Sequence, residues 1–97
     1  MLMLITYDVS VVTSEGRRRL RNIAKVCLDY GVRVQNSVFE CEVDPAGLVQ
    51  LKNELLGLYN ADEDSLRFYS LGKRGHQRVE HYGIKAVADP LRSALVL

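Results

Sequence analysis

A ferredoxin-like α+β domain, with the order βαββαβ and an additional short C-terminal strand, is the fold class this sequence predicts. Three observations lead there. Met1 to Tyr7 is apolar apart from Thr6, as in a strand covered on both faces. Two segments carry helix signals, an apolar stripe from Leu20 to Leu28 and a capped leucine repeat after Asp44. Each helix is flanked by stretches rich in β-branched and aromatic residues, the split βαβ arrangement. The 97 residues, 47 % of them hydrophobic, fit a single domain over 1–97, with a core at 1–71 and a C-terminal extension at 72–97.

Met1 to Tyr7 is expected at the centre of the sheet. Ser10 to Gly16 reads as a loop in which Thr13 or Ser14 caps the next helix. From Gly16 to Tyr30 the apolar residues Leu20, Ile23, Ala24, Cys27 and Leu28 fall at i, i+3, i+4, i+7 and i+8, an amphipathic helix that Gly31 closes. A short strand at Val32 to Gln35 and a longer one at Val38 to Val43 come next, with Asn36 and Ser37 as candidate turn residues. Asp44-Pro45 opens the second helix as cap and first-turn proline, and Leu48, Leu51, Leu55 and Leu58 continue it. Asp62 to Asp64 is an acidic loop, Leu66 to Leu71 a strand, and Gly72 to Gly75 a break. A fifth short strand is expected within Val79 to Ala88. Both helices on one side would leave the other sheet face open, although the first strand is apolar on both faces. A homodimer covering that face resolves the mismatch, with the C-terminal segment pairing with an edge strand of the other subunit.

The formal charge of +1 conceals strong segregation. Arg17, Arg18, Arg19, Arg21, Lys25 and Arg33 face only Glu15 and Asp29 in their part of the chain, whereas Glu40 to Asp64 holds seven acids against Lys52. One basic and one acidic surface follow, the former suited to a polyanion. Cys27 and Cys41 lack metal or redox spacing and read as buried free thiols of a reducing compartment. The N-terminus has neither a basic leader nor a membrane-spanning apolar length, so the cytoplasm is expected and no membrane partner.

Asp8 directly follows the first strand, and the arginine-rich helix begins close by in sequence. Helix N-terminal N–H groups and guanidinium forks both favour phosphate oxygens. One carboxylate is a sparse Mg²⁺ site; two copies of Asp8 facing each other across a dimer axis would supply two carboxylates to an ion that polarises a phosphodiester. His76 and His81 read as loop or packing residues rather than bases. There is no glycine-rich phosphate loop.

"YDVS" after the apolar strand, the arginine-rich helix ending in "DYGVRVQNSVFECEVD", and a helix opened by Asp44-Pro45 together resemble the small CRISPR-associated proteins of the Cas two family. The R-V-Q-x-S-V-F-E core at Arg33 to Glu40 is the most specific part, and "LGKRG" and "VEHYG" resemble members from type I systems. The resemblance implies a ferredoxin-like homodimer in spacer acquisition during antiviral defence, partnered by the Cas one integrase. It also implies a Mg²⁺-dependent endonuclease on RNA or double-stranded DNA, with Asp8 as catalytic and metal-binding acid. The implied nucleic-acid-binding positions are Tyr7, Arg17, Arg18, Arg19, Arg21, Arg33, Ser37 and Phe39. The alternative is a non-catalytic DNA-binding scaffold that bridges integrase dimers. A regulatory dimer that binds a small metabolite would explain the fold but not the arginine cluster.

Overall fold

The computed structural model describes residues 1–71 and 77–84. They form β1 (Leu2–Asp8), α1 (Ser14–Tyr30), β2 (Gly31–Gln35), β3 (Val38–Glu42), α2 (Pro45–Leu56), β4 (Ser65–Leu71) and β5 (Gln77–Gly83). All strand pairs are antiparallel in the order β2-β3-β1-β4-β5, which puts β1 at the centre. The fold is ferredoxin-like with one added edge strand, as expected.

Both helices pack on the same sheet face. Ile23 and Cys27 of α1 and Leu51 and Leu55 of α2 share one core with Met3, Ile5, Tyr7, Phe39, Cys41, Leu66 and Phe68. Register explains the membership, since Ile5 lies opposite Phe39 and Phe68, and alternation then sends Met3 and Tyr7 to the same side. The other face carries a much smaller apolar cluster of Leu4 and Tyr69 with Leu71 beside it. Among the described residues no helix crosses that face. The Tyr30 hydroxyl donates to Glu54 at 2.7 Å and joins the two helices near their ends.

Local signals account for most boundaries. Thr13 is the cap of α1, its side chain accepting from the Gly16 N–H at 3.1 Å, so the helix starts two residues before Gly16. Asp44 accepts from the Gly47 N–H ahead of Pro45, as the sequence implies. Gly31 closes α1 as expected, its N–H donating to the Cys27 carbonyl, but its backbone is extended and already belongs to β2. A Cβ there would lie 2.1 Å from the Glu40 carbonyl oxygen, so glycine serves close strand approach rather than a helix-ending turn. Asn36 and Ser37 do form the β2–β3 turn, with Ser37 at φ 62°.

Two further expectations change. β1 continues through Asp8, which pairs with Ser65, so the acid is the last residue of the strand and not the residue that follows it. β5 pairs with β4 of the same chain, so this part of the extension does not go to another subunit's edge; residues 85–97 lie outside the described residues. Cys27 and Cys41 are free and buried, as read from their spacing. Burial pushes the Cys27 thiol up to about 12, Cys41 adding to it, and the Cys41 thiol up to about 11. Both therefore stay protonated at neutral pH, and we expect native protein to resist thiol alkylation at pH 7.5 and react only once denaturant is added, as read by mass spectrometry. Among the described residues no helix is long and apolar enough to cross a membrane.

Candidate nucleic-acid interface and acidic centre

Asp8 is exposed at the end of a strand whose preceding five residues are buried. The parity of β1 sets it on the face away from the helices, in line with Leu4 and Thr6. Its carboxylate takes no hydrogen bond or ion pair among the described residues. No group of three or more His, Cys, Asp or Glu there could enclose a metal. Among the described residues the end of β1 thus offers a single open carboxylate, which fits Mg²⁺ only as a site completed by water and by ligands from outside this chain.

The loop after Asp8 is anchored by a residue that sequence reasoning passed over. Asp64, expected in a solvated acidic loop, has a fully buried side chain. It accepts from the Ser10 N–H at 3.1 Å and the Asn60 N–H at 2.9 Å, and from Arg19 Nε at 2.8 Å and Nη2 at 3.3 Å. Arg19 also reaches Glu63 at 3.1 Å. The pair joins the end of β1, the body of α1 and the turn before β4. Nothing in a run of three acids shows which one turns inward.

Gly16 completes the packing of this loop, because a Cβ there would lie 2.0 Å from the Ser10 carbonyl oxygen. We expect Gly16→Ala to cost about 1–3 kcal/mol in chemical denaturation, by forcing the loop off the first turn of α1.

The arginines divide by helix geometry. Arg19 lies four residues before Ile23 and eight before Cys27, at the edge of the buried stripe, and is committed to Asp64. It is a structural cation rather than a free phosphate contact. Arg17, Arg18 and Arg21 point away from that stripe and are exposed; Arg17 Nη1 donates to the Val11 carbonyl at 3.2 Å. Arg33 on β2 is exposed, with its guanidinium 5.2 Å from the Phe39 ring centroid.

Tyr7 and Phe39 differ from base-stacking platforms. Phe39 is fully buried and Tyr7 nearly so, their rings stacked with centroids 6.0 Å apart on the helix side of the sheet. With their faces inside the core, they support the site by packing and by carrying Arg33. The alternation of Phe39 and Cys41 with Glu40 and Glu42 already contained this signal. Burial pushes the Tyr7 phenol up, with Cys27 adding to it, against the charge of Arg33 and hydrogen bonds with Arg33 and Ser37. The Ser37 carbonyl accepts from the Tyr7 N–H at 3.1 Å, which ties the turn to β1. Tyr7, Arg21, Arg33 and Ser37 come together around one cavity between α1 and the β2–β3 turn.

His81 is a packing residue, as expected. Its Nδ1 accepts from Arg67 Nε at 3.0 Å, and its Nε2 faces the Ile84 carbonyl at 2.7 Å. His76 lies outside the described residues.

Comparison with known proteins places these features in a family. Residues 1–79 match the family described as CRISPR associated protein Cas2. Over 97 residues the chain is 56 % identical to a CRISPR-associated endoribonuclease Cas2 of Chlorobaculum tepidum, covering all of both chains. It is 53 % identical over 89 residues to a CRISPR-associated endonuclease Cas2 of Halalkalibacterium halodurans, covering 92 % of this chain and 93 % of that one. The crystal structure of Streptococcus pyogenes Cas2 is similar with a TM-score of 0.70 and 56 % identity, over 75 % of this chain and 88 % of that one. An exposed acid ending the central strand, the arginine helix after it and the Arg33 to Glu40 segment all lie within the matched residues, and the chain belongs to the CRISPR associated protein Cas2 family.

Proposed function

We propose that this chain is a Mg²⁺-dependent endonuclease acting on RNA or double-stranded DNA, as a homodimer, in CRISPR spacer acquisition. The observation that carries the reading is the exposed carboxylate of Asp8, without a partner among the described residues, at the end of a buried strand that leads through a short loop into an arginine-rich helix. The backbone on either side of the carboxylate is fixed, because Asp8 is paired into the sheet and Ser10 is tied to buried Asp64. The names of the two relatives, an endoribonuclease and an endonuclease, support a phosphodiesterase.

Asp8 would hold the ion, which when bound supplies Lewis-acid polarisation of a phosphodiester oxygen. Two copies of Asp8 would bring two carboxylates, so the metal site depends on the dimer. Val32 at 62 % exposure and Val34 and Val79 at 48 % each are apolar surface that a second copy would cover. Arg17, Arg18, Arg21 and Arg33 neutralise the nucleic-acid backbone and set its position relative to Asp8, without reading sequence. Replacing Arg17, Arg18 and Arg21 together by Ala is expected to weaken binding uniformly across sequences and to flatten the log Kd against log salt slope by about 2–3. Fluorescence anisotropy at several salt concentrations measures this, and an unchanged slope would remove the helix from the interface.

A second reading has its own support: a lone open carboxylate at the end of β1 and the exposed arginines of α1 suit a scaffold that bridges Cas one integrase dimers on a short duplex. Asp8→Asn scored both for cleavage with Mg²⁺ and for spacer acquisition in cells separates the two. Lost cleavage with intact acquisition leaves the scaffold as the biological role; loss of both supports the nuclease.

A further inference from the structure

The cavity between α1 and the β2–β3 turn has a volume of about 320 Å³, within the roughly 300–1,000 Å³ typical of small-ligand sites. Its walls differ in chemistry. Leu20 and Ala24 of α1 give an apolar surface, Arg21 and Arg33 bring two guanidinium groups from two elements, and Tyr7, Asn36 and Ser37 add a phenol, a carboxamide and a hydroxyl. We propose that this cavity takes one unpaired nucleotide, its phosphate between Arg21 and Arg33 and its base against Leu20 and Ala24 within reach of the Asn36 amide.

The inference rests on the nucleic-acid reading above and deepens it. Bases inside a duplex are paired and stacked, so a concavity on this scale admits only a nucleotide splayed out of the helix, a frayed end or a free nucleoside monophosphate. Arg33 is suited to the phosphate because its guanidinium lies over the fully buried Phe39 ring, which restrains the plane while leaving edge N–H groups to donate. The Tyr7 phenol, protonated at neutral pH in any case and pushed further up by burial, has a hydroxyl that can also donate to an anion. Asn36 offers both a donor and an acceptor, the pair that an unpaired base edge requires. Its place is set by Ser37, held at φ 62° in the turn, whose carbonyl is bonded to β1.

The test uses the whole 97-residue chain carrying Asp8→Asn, without metal, titrated with adenosine and guanosine 5′-monophosphates and followed by ¹H–¹⁵N NMR. Saturable shifts at the amides of Ala24, Asn36 and Ser37 are expected, with the corresponding nucleosides binding about tenfold more weakly for want of the phosphate. A duplex with a short unpaired 5′-phosphorylated end should bind about tenfold more tightly than a blunt duplex of equal length if the nucleotide is a strand end. Saturable monophosphate binding without that preference assigns the cavity to free nucleotide. Asn36→Ala, at an exposed position, and Ala24→Leu, which fills the apolar wall, should each weaken the monophosphate severalfold. Absence of both monophosphate shifts and end preference overturns the proposal. Cleavage by the unaltered chain is scored separately: cleavage without nucleotide binding discards only the cavity, and nucleotide binding without cleavage discards only the catalytic reading.

Discussion

Asp8→Asn is expected to lower Mg²⁺-dependent cleavage by several kcal/mol of transition-state stabilisation, on the order of 10³-fold, while leaving the fold intact. Asn keeps the size of the side chain and one oxygen but removes the charge that attracts a divalent cation. Because Asp8 is exposed and no described residue bonds its carboxylate, its loss should change stability by no more than about 0.5 kcal/mol. Those two measurements belong together: gel-resolved cleavage over a Mg²⁺ titration, and thermal unfolding followed by circular dichroism. Cleavage within twofold of the unaltered chain would contradict a metal role for Asp8. Lost cleavage with a large drop in melting temperature would show that the acid acts on the structure instead.

The opposite balance is expected at Asp64. Asp64→Ala deletes the acceptor for the Ser10 and Asn60 N–H groups and removes the partner of Arg19 from the interior. Leaving buried donors without partners costs roughly 1–3 kcal/mol each, partly recovered where water can enter. The expected loss is about 3 kcal/mol. For a domain of this size that corresponds to a fall in melting temperature of roughly 10–20 °C. Arg19→Ala should cost less, because the carboxylate it leaves behind still accepts two backbone N–H groups. A melting temperature within about 3 °C of the unaltered chain for Asp64→Ala would show that the buried pair does not hold this loop. Below its melting point the Asp64→Ala protein should also cleave poorly, since Ser10 follows Asp8 by two residues and shares its anchorage.

Helices and strands were legible because their signals are local. The i, i+3, i+4 stripe of α1, the Asp44-Pro45 start of α2 and the unbroken apolar run of β1 each need only neighbouring residues to be read. Asp8 stood out for the same reason, as a charge directly after an apolar strand. The family resemblance then named the positions around it, but not their contacts.

What the sequence by itself determined is therefore the element order, the sheet centre, the helix starts, the free thiols and an acid at the tip of the apolar run. Only the tertiary structure decided which arginines are free and which aromatics are accessible. Arg19 and Asp64 stand 45 residues apart, and their pairing exists only because β4 lies beside β1 and brings the preceding turn against α1. Tyr7, Arg21, Arg33 and Ser37 share a cavity for the same reason, coming from a strand, a helix, an edge strand and a turn that meet only after register is set. Periodicity reports which side of its own element a residue occupies; the energy of a buried carboxylate depends on donors that arrive from elsewhere in the chain.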